Sequence, residues 1–280
     1  MQDREPTLEV WFKNLILLIH NSTEMLHILA ICDINSPKGK AVNQRLTDLG
    51  VSYEIIPAVF PPEPYPWSPL YDEKKRMRIN GYPMVKGEIG CFLAHREAWK
   101  AVRSGSHDYV LILEDDFKIT PENLAKIISV TEIKEARNLI TLLLIANDKF
   151  SFRRWFKHKD IQLVVPTHNT YSTMAYFISK QSAATLIKHS ESIFCPVDEY
   201  TNMEFLHHIP LVHTYPHLVE HDGSDSAIGL RTKPRIKIFR KIIRNYFRFV
   251  WTIKDKLSRF KIRLKLGLLS TKIETHRNPS

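Results

Sequence analysis

Cysteine is scarce in this chain: Cys32, Cys91 and Cys195 are odd in number, widely spaced and set among apolar neighbours. Such usage excludes a disulfide framework, gives no support to a cysteine-based metal site, and fits a reducing, cytoplasmic setting. Gly-x-Gly-x-x-Gly and phosphate-loop motifs are missing, which weakens readings as a dinucleotide-dependent dehydrogenase or a P-loop enzyme. Zinc knuckles and RNA-recognition motifs are missing as well, so no dedicated nucleic-acid module is present and no nucleic-acid partner is expected. Long apolar runs are also lacking. The stretch Leu15-Ile16-Leu17-Leu18-Ile19 is bounded by Lys13 and His20 with no small-residue cleavage site after it. It is too short to span a bilayer and makes a poor secretion signal.

What is present is ample apolar material. At 280 residues and 44% hydrophobic content the chain can bury a large α/β core without staples. Periodicity predicts a strand at Leu26–Cys32, a helix at Lys40–Leu49 and a strand at Val51–Ile56, a β-α-β opening that implies parallel pairing. The segment from Pro57 to Pro83, both included, holds seven prolines and the basic run Lys74-Lys75-Arg76-Met77-Arg78. A segment of this kind is either a lid or a surface excursion. A helix from Glu88 to Gly105, a strand at Tyr109–Leu113 and a helix from Pro121 to about Val130 follow. Further strands are expected at Leu139–Ala146, near Ile161–Val165 and at Ala175–Ser179, with a helix at Gln181–His189. Strands alternating with helices, without internal repeats, predict a three-layer α/β domain over 26–230, preceded by an extension, 1–25.

The most informative residues are Glu114-Asp115-Asp116, three acids at the end of an apolar strand. Adjacent carboxylates repel, so a divalent cation or a set of donors is expected there, in the crevice that open α/β sheets offer at their strand ends. Helix capping is the plainer alternative. Two later segments carry chemistry or plain turns. Asp198 opens a short helix after Cys195, as a cap or as something more, and His221-Asp222-Gly223-Ser224 is a polar loop.

Taken in order, several blocks resemble glycosyltransferase family 25, the lipopolysaccharide and lipooligosaccharide galactosyltransferases. They are Gly87-Glu88-Ile89-Gly90-Cys91-Phe92-Leu93-Ala94-His95 with Trp99, Leu111-Ile112-Leu113-Glu114-Asp115-Asp116, Tyr176-Phe177-Ile178-Ser179-Lys180, Pro196-Val197-Asp198, and His221-Asp222 with Ser226-Ala227-Ile228-Gly229. The resemblance implies an A-type glycosyltransferase fold, Rossmann-like, with a mixed, mostly parallel sheet between helices. It implies inverting transfer of galactose from UDP-galactose to a lipid-linked oligosaccharide, as a β-galactosyltransferase; the alternatives are a UDP-glucose donor or a non-catalytic saccharide- or membrane-binding module. Mn2+ or Mg2+ would be held by Asp116 with Asp115, and by His221 as a nitrogen ligand, since such an ion neutralises a departing diphosphate. Asp198 is the expected base, with Glu199 in reserve. Glu88, His95, Glu114 and Asp115 are expected to serve donor or acceptor binding; His95 alternatively packs within its helix. Where the family carries an Arg-rich stretch this chain has Asp33 to Lys40, leaving Lys38, Lys40 or Arg45 as substitutes, and Ala94 and Ala175 replace the family's usual Ser and Gly.

Charge is segregated. Residues 231–280 hold 16 Lys and Arg against 2 acids, whereas residues 1–230 hold 24 against 28. In the tail, Ile236, Phe239, Ile243, Tyr246, Phe247, Val250, Trp251, Leu257, Phe260 and Leu264 recur at three- and four-residue spacings among the cations. This predicts an amphipathic helix, lying on an anionic membrane or packed on the domain. With a lipid-linked acceptor, the expected location is the inner face of a bacterial cytoplasmic membrane, as a peripheral protein.

Overall fold

The computed structural model describes residues 26–144, 149–224 and 238–277. The expected extension at 1–25, the Ser226–Gly229 block, the start of the tail and the end of the strand expected at Leu139–Ala146 lie outside them. The chain opens with β1 (His27–Cys32), α1 (Pro37–Asp48) and β2 (Ser52–Pro57). Ser36 caps α1 by accepting from the Gly39 amide at 2.9 Å, with Pro37 pre-set in the first turn. After the proline-rich segment come α2 (Glu73–Ile79), α3 (Lys86–Ser104), β3 (Tyr109–Leu113), the two-residue β4 (Phe117–Lys118) and α4 (Pro121–Val130). The remainder comprises β5 (Ile140–Leu142), β6 (Lys149–His158), β7 (Ile161–Pro166), β8 (Ala175–Ser179), α5 (Lys180–His189), α6 (Val197–Thr201), α7 (Glu204–His207), β9 (Leu211–Tyr215), β10 (Glu220–His221), α8 (Ile238–Lys265) and β11 (Glu274–Arg277).

Among the described residues nine strands form one sheet in the order β11-β6-β7-β9-β5-β8-β3-β1-β2. Following the pairings across it, six strands run the same way and β8, β7 and β11 run against them. This is the mixed α/β sheet implied by the resemblance. Successive side chains of a strand face opposite sides, so β1 feeds two cores. Leu29 and Ile31 pack with Ile89, Phe92 and Trp99 of α3 and Leu186 of α5, while Ile28 and Ala30 pack with Val42 and Leu46 of α1 and Ile127 of α4.

The proline-rich segment closes over α3. A Cβ at Gly90 would lie 2.3 Å from the carbonyl oxygen of Val59, so only glycine allows this approach. The segment expected as a separate basic tail is tied into the body: α8 packs on α2 and α7, and β11 completes the sheet against β6. Arg154 of β6 donates to both carboxylate oxygens of Glu274, at 2.7 and 2.8 Å.

Candidate active site

β3 delivers Glu114-Asp115-Asp116 to the carboxyl ends of the parallel β1-β2-β3 strands. Thr120 then caps α4, fixing the short loop between them. Each carboxylate meets different partners. Glu114 Oε1 accepts from Thr173 Oγ1 at 2.7 Å and lies 3.1 Å from His95 Nε2. Burial pushes Glu114 upward, but these hydrogen bonds and the nearby Lys38 leave it below the usual carboxylate range, so it is ionised. An ionised carboxylate only accepts, so His95 carries its proton on Nε2. Trp99 Nε1 donates to the Tyr176 hydroxyl at 2.8 Å, and that hydroxyl meets His95 Nδ1 at 2.9 Å. A buried relay of side chains thus holds Glu114 in place.

Asp115 Oδ1 pairs with Lys38 Nζ at 2.9 Å, from the first turn of α1. Asp116 is the least satisfied of the three. Its Oδ2 lies 3.1 Å from His221 Nε2, whereas its buried Oδ1 has no hydrogen-bond partner among the described residues. Burial and the charge of Glu114 raise its pKa, against the opposing pull of His221 and Lys38. A buried carboxylate oxygen left bare in an anionic corner is what a hard cation would satisfy. The donor set therefore fits a divalent ion at Asp116 Oδ1.

A small antiparallel ribbon completes this corner. β10 pairs with β4, placing His221 opposite Phe117, and the Asp222 amide donates to the Asp116 carbonyl at 2.8 Å. Gly223 N donates to His221 Nδ1 at 2.9 Å, which leaves the hydrogen on Nε2, facing Asp116. His221 therefore acts here as a donor to that carboxylate; as a nitrogen ligand it would have to give up this hydrogen. Arg45 staples the ribbon, donating to the carbonyls of Phe117 and Asp115 and to Asp222 Oδ2 at 3.1 Å. Burial would raise Asp222, but bonds from Ser224 and Arg45 bring it down to about 2.

Asp198 is carried by a separate element. It sits in the first turn of α6, where its Oδ1 accepts from the Glu199 amide at 2.8 Å. Asn202 fixes the turn by donating to the Asp198 carbonyl at 2.8 Å and accepting from Thr170 N at 3.0 Å. Burial first, then the charges of Glu114, Asp198, Asp116 and Asp115, push the Cys91 thiol well above its ordinary range. Cys91, His95 and Glu114 bring ligand-type atoms within 4.8 Å of one another. With burial keeping the Cys91 thiol protonated and both His95 nitrogens engaged by Tyr176 and Glu114, this trio is a poor metal site.

The structure brings Lys38, Glu114, Asp115, Asp116 and His221 together. Other candidates are engaged inside the protein. His95 is fully buried with both nitrogens engaged inside the protein, so it positions Glu114 and does not meet a sugar or phosphate. Glu88 is buried at the start of α3, where its Oε2 accepts from Val85 N at 3.0 Å. Arg45 is spent on the ribbon, and Arg76, from the basic run, is buried with its Nη1 3.4 Å from Glu199 Oε2. Thr173 and Asn202 were not foreseen, because their partners lie 59 and 32 residues away.

A model of glycosyltransferase family 25 (LPS biosynthesis protein) matches residues 35–201. A glycosyltransferase 25 family member of Aedes aegypti is 30% identical over 179 residues, covering 58% of this chain and 28% of that protein. The human procollagen galactosyltransferase 2 is 27% identical over 129 residues, covering 45% of this chain and 21% of its own length. The chain thus spans less than a third of these relatives. Among solved structures, a glycosyltransferase involved in glycosylation of the major capsid of PBCV-1 aligns with a TM-score of 0.38 at 14% identity, covering 80% of this chain and 99% of its own.

Proposed function

This chain belongs to glycosyltransferase family 25, and on that premise we propose that it is an inverting, metal-dependent glycosyltransferase that moves galactose from UDP-galactose to a lipooligosaccharide or other lipid-linked saccharide. The observation that carries this reading is the buried Oδ1 of Asp116, unpartnered among the described residues, in the acidic corner at the carboxyl ends of β1 and β3. That corner suits a charged donor with its cation, and Asp198 of α6 is the acid offered to the acceptor. Galactose is favoured because a relative carries galactosyltransferase in its name.

Asp116 through Oδ1, with Asp115 beside it, would hold Mn2+ or Mg2+; His221 stands next to the same carboxylate. When bound, such an ion neutralises the charge that grows on a departing diphosphate. Lys38, already on Asp115, adds a fixed positive charge to that corner. Glu114, locked by Thr173 and His95, keeps the loop from relaxing when donor arrives.

Inversion requires a single displacement. The acceptor hydroxyl oxygen forms a bond to the anomeric carbon while the bond from that carbon to the diphosphate oxygen breaks, its electron pair leaving with UDP. The hydroxyl proton passes to Asp198. Arg76 positions the neighbouring Glu199, so the two acids of α6 are held in different roles. The acceptor being lipid-linked, the enzyme would work at the inner face of a cytoplasmic membrane.

The test is UDP release by the purified protein across a panel of nucleotide sugars, with and without Mn2+ and a truncated glycolipid. Acceptor- and metal-dependent release from UDP-galactose is expected. Release from UDP-glucose alone would replace the donor, and none from any sugar would remove the catalytic reading.

A further inference from the structure

Helix α8 carries two apolar faces, and among the described residues only one of them has a partner. Trp251 of α8 wedges edge-on against Phe194 and Phe205, with ring centroids 5.5 and 5.3 Å away, and Ile262 is buried farther along the same side. Ile238, Ile242, Tyr246, Phe249, Ile253, Leu257, Phe260 and Leu264, by contrast, are 43 to 79% exposed. Their spacings of 4, 4, 3, 4, 4, 3 and 4 keep them on one straight line along the helix, roughly 39 Å long at 1.5 Å per residue and turned away from Trp251. Exposed Lys241 and Lys256 lie along one side of this line, and Lys254, Lys261 and Lys265 along the other.

We propose that this outward stripe seats α8 in the interfacial layer of an anionic lipid bilayer. Eight large apolar side chains in a row are far more than scattered surface residues. Flanking lysines complement anionic headgroups, and α8 holds ten Lys and Arg against one acid, Asp255, which is paired to Arg259 at 2.9 Å. Phe260 lines a cavity of about 810 Å³ with Lys256, Arg259 and Arg263 against the one acid Asp255, so net positive charge continues beside the stripe. A second copy of the chain fits less well. The spacing repeats every eleven residues, not every seven as in a left-handed coiled coil, and pairing would oppose two cationic flanks. Among the described residues no helix is long and apolar enough to cross a membrane, so α8 lies on the surface. Because Trp251 fastens it beside the Phe194–Glu199 segment, docking carries the Asp198 side of the site to the bilayer.

The test is flotation of the full chain with phosphatidylcholine vesicles, with and without phosphatidylglycerol, compared with the double variant Ile253→Asp/Leu257→Asp and with Lys256→Glu/Lys261→Glu. The unmodified chain is expected to float with anionic vesicles. The apolar variant should lose at least ten-fold in partitioning, and the lysine variant roughly five-fold per residue, with binding weakened by salt. Thermal unfolding recorded alongside shows that both variants are folded, as their exposed positions imply. The proposal is overturned if the folded apolar variant floats as well as the unmodified chain. It is equally overturned if the stripe instead drives self-association in sedimentation without lipid, or if duplex DNA alone binds. Because this readout involves no sugar transfer, it succeeds or fails independently of the catalytic reading.

Discussion

Removing one charge, with Asp116→Asn, should make the protein more stable and less able to bind. In the metal-free protein the Asp116 carboxylate is desolvated, lies beside ionised Glu114 and leaves Oδ1 unpartnered. An unsatisfied buried polar group costs about 1–3 kcal/mol, and more when charged. The His221 contact to Oδ2 survives in the amide, so relief of on the order of 1 kcal/mol remains, raising Tm by about 2–4 °C in a chain of this size. With Mn2+ and UDP at a hundred times Kd, the unmodified protein gains about 2.7 kcal/mol by mass action, or about 5–10 °C, and the variant should gain none. Differential scanning fluorimetry with and without Mn2+ and UDP reads both effects. A variant that melts lower without metal would show that Asp116 is a structural anchor, and an unchanged Mn2+ shift would place the cation elsewhere.

Asp198→Asn should keep Mn2+-dependent UDP binding by calorimetry while losing about 10²- to 10⁴-fold in kcat, the range for a general base; normal turnover would remove that role. Gly90→Ala gains about 1 kcal/mol in helix propensity but sets a Cβ 2.3 Å from the Val59 carbonyl, a backbone clash worth about 1–3 kcal/mol, so its Tm should fall. A higher Tm would mean that the proline-rich segment yields easily. Glu204, buried and driven by desolvation to about 7, holds its proton in the folded state at pH values where the unfolded chain has lost it. Its contribution therefore falls as pH rises from about 4.5 to about 7 and stays low above that. Glu204→Gln should gain on the order of 3 kcal/mol over the unmodified protein between pH 4.5 and 8 in urea titrations. His207 and His217, held at about 3 and about 4 by burial, slope the opposite way but cancel in the comparison. Parallel pH profiles would refute the assignment.

What could be read in advance was local. The β3-acid-α4 unit declares itself by an apolar run, three carboxylates, Thr120 as cap and Pro121 in the first turn, all within a dozen or so residues. The His221–Asp116 contact depends on a two-residue ribbon joining segments about a hundred positions apart, and no periodicity encodes that pairing. His95 looked available for a ligand because the groups that occupy it, Tyr176 and Glu114, are distant in the chain. β6 was overlooked although Phe150 and Phe152 alternate with Ser151 and Arg153, because the aromatic and cationic residues that follow blur the two-residue period. In α8 the expected stripe mixed Trp251 with Tyr246. An amphipathic pattern shows that apolar residues recur, and not that two opposite faces hold them.

Strand β11 has a practical corollary. An investigator seeking a better-behaved protein would be tempted to clip the cationic end near residue 230. Doing so would expose the Lys149–Phe152 edge of β6, which β11 now pairs, and strip Arg154 of its carboxylate clasp. Bare sheet margins recruit other chains, so the shortened protein should precipitate more readily than the intact one, despite having shed most of its greasy surface.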